Sequence, residues 1–155
     1  ASPKTLRLSP IALIYRILLR SQYVHSMLYI GNSKMIHTTS KYGVIIDNIP
    51  RKIYQKDRYT ILRVHKLSDS QREHIVGEAL KYQHKKLDHA GLITNIPSRF
   101  FGFNKPLLRF EKNRLWCSKL IYKVYSSQNI ELVSSANMDN ITSEDLSQSK
   151  ILQKI

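Results

Sequence analysis

The chain has 155 residues, 42% of them hydrophobic and 23% charged. That suits a single globular domain able to bury a core without disulfides or metals, and it excludes disordered and fibrous classes. The longest apolar stretch, residues 11–19, carries Arg16 and falls well short of the roughly 20 residues of a membrane-spanning helix. Lysine and arginine total 25 against 11 acids, for a net charge of +14. The excess is concentrated before residue 69, where only Asp47 and Asp57 are acidic. Such a field favours an anionic partner: cell-wall polymer, acidic lipid, or nucleic acid bound without sequence preference.

In chain order, Ser9-Pro10 is a helix-start signal, and Ile11, Ile14, Tyr15, Leu18 and Leu19 follow at helical spacing. Residues 23–30 alternate as a strand, with Tyr23, His25, Met27 and Tyr29 on one face. Gly31-Asn32-Ser33 is a turn, and residues 34–39 return as the second strand of a hairpin. Residues 44–46 and 59–65 read as two more strands. Ser68 and Gln71 have capping-box spacing, so a helix is expected to about residue 84, burying Ile75, Val76, Ala79 and Leu80. Residues 86–113, with Pro97, Gly102 and Pro106, read as loop, and Phe100, Phe101, Phe103 and Phe110 are expected to fold over the core. A helix over about 115–126 presents Leu120, Ile121, Val124 and Tyr125, and Thr142 opens a last short helix. The fold class is α+β: a small antiparallel sheet packed against helices, in one domain over residues 1–155.

Cys117 is the only cysteine, which excludes an intrachain disulfide framework and a multi-cysteine zinc site. It sits at the start of its helix, where the dipole and free N–H groups favour the reactive thiolate. The ordinary alternative is a small buried hydrophobe. His25 lies mid-strand, where a base is held firmly, and His37 on the neighbouring strand is placed to orient it. Each alone reads more readily as a satisfied core histidine. His84 and His89 flank Asp88, but no second ligand motif accompanies them, and no spacing argues for a partner of His65 or His74. No phosphate loop or Gly-x-Ser-x-Gly motif is present, and neither a metal nor a cofactor is expected. Tyrosines at 23, 29, 42, 54 and 59 interleave with basic residues, but no RNA-binding signature accompanies them. No secretory signal is visible at the first residue, and the compartment is left open.

The segments together resemble the permuted papain-like cysteine hydrolases, the YiiX-type branch of the NlpC superfamily. The matching pieces are Ser21-Gln22-Tyr23-Val24-His25 through Tyr29-Ile30-Gly31, Met35-Ile36-His37 with Gly43-Val44, and Tyr59-Thr60-Ile61-Leu62-Arg63. Leu67-Ser68 with Gln71-Arg72, Lys85-Lys86-Leu87-Asp88, Trp116-Cys117-Ser118 and the stretch 142–149 follow in the family's order. The resemblance covers residues 9–150 and rests on the ordered set rather than on any one piece. It implies a circularly permuted papain-like fold in which Cys117 is the nucleophile, His25 the base and His37 the residue orienting His25. Cys117 Sγ would then lie within about 4 Å of a His25 ring nitrogen.

The implied chemistry is amide hydrolysis, of a peptide or isopeptide bond in bacterial cell wall, through an acyl-enzyme thioester. There are two departures. The family's opening Gly-Asp strand is missing, as expected if the chain is trimmed or if a larger protein supplies that strand. The third catalytic position, often Glu in this branch, is His37, as in the lecithin:retinol acyltransferase-like relatives. The latter, with the basic N-terminal half, supports an alternative: a lipid acyl hydrolase or acyltransferase at an anionic membrane surface.

Overall fold

A computed structural model describes residues 17, 22–50, 59–101, 115–133 and 140–155. The expectations for the 10–20 helix, Tyr54, Phe103 and Phe110 lie outside the described residues, apart from Ile17, which is helical and exposed.

The described residues form a mixed α+β structure with two small antiparallel sheets. The larger has the order β1 (Leu28–Gly31), β2 (Lys34–Thr39) and β3 (Gly43–Asn48). Leu28 pairs with Ile36, and Ile36 with Ile46, so alternation gathers Leu28, Ile36, Val44 and Ile46 on one face. A second sheet pairs β4 (Leu62–Val64) with β5 (Leu152–Lys154), a C-terminal strand that sequence periodicity did not reveal.

Helix α1 (Asp69–Leu80) opens with the expected reciprocal box: Gln71 N–H bonds Ser68 Oγ, and Ser68 N–H bonds Gln71 Oε1. It ends earlier than expected. Residues 81–84 are turns, His84 has φ +67°, and Leu80 is 40% exposed rather than buried. Helix α2 (His89–Phe100) lies within the stretch read as loop. Asp88, 1% exposed, takes the Gly91 N–H at 2.8 Å and so satisfies one orphan donor of its first turn. Pro97 is accommodated inside the helix, where sequence reasoning took it as a breaker. Phe101, just past α2, is 68% exposed and does not cover the core.

Helices α3 (Cys117–Ser126) and α4 (Ser143–Ser147) complete the set. α3 buries Leu120, Ile121 and Val124 in one cluster with Ile36, Val44, Ile75, Ala79 and Ile141, and it packs on α1, β2 and α4. Before it, Leu115 pairs in parallel with Leu87, and Asp88 N–H bonds Leu115 O at 3.2 Å. The N-termini of α2 and α3 are thereby set side by side.

Gly43 is where the larger sheet meets the turn after α1. Its φ is +70°, Val44 N–H bonds Lys85 O at 2.8 Å, and a Cβ on Gly43 would stand 2.1 Å from that carbonyl. Left-handed strain and a clash with backbone coincide here. Gly43→Ala is therefore expected to cost roughly 3 kcal/mol. Urea unfolding of the variant checks this, and an unchanged midpoint would contradict it.

Candidate active site

Cys117 is the first residue of α3 and is partly buried. The preceding Trp116 is extended (φ −110°, ψ 170°) and its side chain makes no cap bond, so the N–H groups of the first turn are not taken up by the cap. Trp116 is instead anchored inward. Its Nε1–H donates to Ile141 O at 2.8 Å, and the Ser118 hydroxyl donates to the same carbonyl at 2.9 Å. Lys119, 3% exposed, holds its ammonium 4.7 Å from the Trp116 ring centre, adding a buried positive charge to the turn that carries the thiol.

His25 is not in a strand. β1 begins only at Leu28, and residues 23–27 have no ladder. The expected strand stops short because its N-terminal half is tied to α4: Gln22 N–H bonds Glu144 Oε2 at 2.8 Å, and the Ser26 hydroxyl donates to Ser143 Oγ at 2.7 Å. Tyr23 Oη adds a 2.6 Å bond with Thr60 Oγ1.

The two histidines meet. His25 Nε2 lies 3.0 Å from His37 Nδ1, with the rings edge to face at 72° and 5.2 Å between centres. Alternation turns His37, opposite Ile45 on β3, to the face of β2 away from Ile36. Burial pushes both imidazoles down to about 4; for His37 the neighbouring His25 adds to the drop and Asp47 opposes it. Both rings are thus neutral at pH 7. In the tautomer in which His25 donates from Nε2, its Nδ1 is the nitrogen left to accept a proton. The His37 proton then sits on its own Nε2, which is buried and without a hydrogen-bond partner among the described residues; in the opposite tautomer His37 Nδ1–H donates to His25 Nε2.

The thiol and the imidazole pair are not bonded to each other. Among the described residues no hydrogen bond joins Cys117 to His25 or His37, in contrast to the contact of about 4 Å expected from the sequence. The Cys117 Sγ instead lies 3.9 Å from Ser143 Oγ, the acceptor of the bond from Ser26. Cys117 therefore reaches the residue next to His25 through one hydroxyl. Sequence reasoning did not pick out Ser143 or Ser26, because Ser143 follows a capping threonine and reads as an ordinary helix start.

The remaining histidines stand apart. His65, His84 and His89 are exposed, and His74 Nδ1 bonds Ser70 O in its own helix. Among the described residues no group of three or more His, Cys, Asp or Glu is placed to hold a metal ion. In comparisons with known proteins, no family model and no curated protein matches the chain.

The neutral histidines make stability depend on pH. An unfolded chain takes up protons near pH 6.5, whereas the folded rings do so only near 4. Between those values the unfolded state binds more protons, so stability is complete above pH 6.5 and declines as pH falls towards 4. At about 1.4 kcal/mol per unit the His25 shift amounts to roughly 3 kcal/mol; His37, partly open to solvent, adds less. Urea unfolding at pH 7.0, 5.5 and 4.5 should show the decline, and His25→Ala should flatten it. Equal slopes in the two proteins would contradict the assignment.

Proposed function

We propose that the protein is a cysteine hydrolase of the permuted papain-like, YiiX-type group that cleaves amide bonds through Cys117, His25 and His37. The observation that carries this reading is the bond from His25 Nε2 to His37 Nδ1. With His25 donating from Nε2, it leaves Nδ1 as the base and supplies the orienting partner that a triad needs. The position of Cys117 at the first turn of α3 supports it further.

In this reading His25 Nδ1 takes the thiol proton as Sγ attacks the substrate carbonyl carbon. The carbonyl oxygen becomes an oxyanion facing the N–H groups of the α3 first turn. Collapse of the tetrahedral intermediate breaks the C–N bond, and His25 returns the proton to the leaving amine. Water, deprotonated by His25, then attacks the thioester, releasing the acid and restoring the thiol. The chemistry requires His25 Nδ1 to meet Sγ, a contact that tightens on substrate binding. The segment that must move, residues 23–27, is outside any ladder.

The net charge of +14 favours an anionic substrate such as cell-wall peptide. The imidazole at the third position favours a second reading, acyl hydrolysis or transfer on acidic lipid. Two measurements test these readings. The bifunctional reagent 1,3-dibromoacetone should bridge Cys117 to His25, as read by peptide mass; modification of Cys117 without a bridge would overturn the pairing. Cell-wall fragments should gain new amino groups while anionic phospholipid vesicles remain intact. Fatty-acid release from the vesicles, with the fragments unchanged, would replace the first reading by the second.

A further inference from the structure

The hydroxyl of Ser143 stands between the thiol and the segment that carries His25. It is 7% exposed and has two side-chain neighbours among the described residues: Ser26 Oγ at 2.7 Å, which donates to it, and Cys117 Sγ at 3.9 Å. A hydroxyl has one proton and two lone pairs. Ser26 fills one lone pair, so the Ser143 proton is left for the sulfur. A neutral thiol accepts such a bond weakly, whereas a thiolate draws it in as a charge-assisted bond. That difference is what a group tuning a nucleophile must supply.

We propose that Ser143 is a positioning residue for Cys117, its hydroxyl oriented by Ser26 so that it donates to the sulfur and favours the thiolate over the thiol. This rests on the reading of Cys117 as the nucleophile. With Ser143 as donor, the S–H of the resting cysteine stays available for His25.

The backbone around Ser143 is built to hold it still. Thr142 and Asp145 form a capping box that fixes the first turn of α4. The Ile141 carbonyl just before it receives both Trp116 and Ser118 of the nucleophile helix. Glu144, just after it, takes the backbone N–H of Gln22. One short stretch, residues 141–144, thus ties the start of α3 to the segment bearing His25, and Ser143 is the member that touches the thiol.

The test is the rate of Cys117 alkylation by iodoacetamide from pH 5 to 9, in wild type, His25→Ala, Ser143→Ala, Ser143→Thr and Ser26→Ala, with a thermal melt of each. Ser143→Ala should move the profile up by about one pH unit and slow alkylation at pH 6 about tenfold, as for loss of a hydrogen bond to a charged group. Ser143→Thr keeps the hydroxyl and should restore the wild-type profile, while Ser26→Ala should move it part of the way. A role confined to packing would lower the melting temperature and leave the profile in place. A Ser143→Ala profile that superposes on a His25-dependent wild type overturns this proposal alone. Should Ser143→Ala not fold, a Ser26→Ala profile identical to wild type overturns it. Wild type and His25→Ala superposing would overturn the hydrolase reading, and this proposal with it.

Discussion

Cys117→Ala is expected to remove turnover by at least about 10⁴-fold, the scale seen when the nucleophile of a coupled catalytic set is deleted. The melting temperature should stay within a few degrees of wild type. The thiol is partly buried, and among the described residues its single side-chain hydrogen bond is the loose one to Ser143. Neither a large cavity nor a strong bond is lost. The core of α3 lies further along, at Leu120, Ile121 and Val124. Cys117→Ser is the sharper control, because it keeps the shape and the hydrogen bond but replaces sulfur by a far less acidic hydroxyl. It should be nearly as inactive as alanine. Amine release from the cleaved substrate, measured beside circular-dichroism melts, checks both variants; a serine variant with most of the wild-type rate would remove Cys117 from the chemistry.

His25→Ala is expected to lower kcat/KM about a thousandfold, within the range of general-base catalysis. His37→Phe should lose less, roughly 30-fold, because in the proposed mechanism His37 acts only through the ring it orients. His37→Asn, which retains an acceptor for the His25 Nε2–H, should recover part of that loss. The pH profile adds an independent check. Burial holds both rings down to about 4, so the base stays unprotonated through weakly acidic solution. The acid limb of kcat/KM should fall below about pH 5 instead of near the 6.5 of a free imidazole. A limb centred at 6.5 in wild type would place the base elsewhere, in solvent.

Much of the local structure was legible in the sequence because its signals are local. The hairpin of β1 and β2 follows from alternation around Gly31-Asn32-Ser33, and Asn32 and Ser33 do adopt positive φ. The Ser68 and Thr142 caps were readable as a side-chain oxygen and its partner three residues on. The apolar stripe of α3 put Leu120, Ile121 and Val124 inside, where they are found. α2 was missed because Pro97, Gly102 and Pro106 outweighed the cap that Asp88 supplies. The strand carrying His25 was overextended because alternation continues past the point where β1 gives way to bonds with α4.

The sequence by itself determined the α+β class, the hairpin that carries His37 and the placement of Cys117 on the first turn of a helix. Each depends on residues a few positions apart, whose spacing dictates which backbone geometry buries apolar side chains and satisfies the nearest polar groups. Only the tertiary structure decided that β5 would pair with β4, that the two imidazoles would meet edge to face, and that Ser143 would lie against Cys117 with Ser26 behind it. Ser26 and Ser143 are 117 positions apart in the chain, and no periodicity links them. Their contact exists because a close-packed core fixes where α3, α4 and the segment before β1 converge, and polar groups brought together in that crowded space must bond to one another.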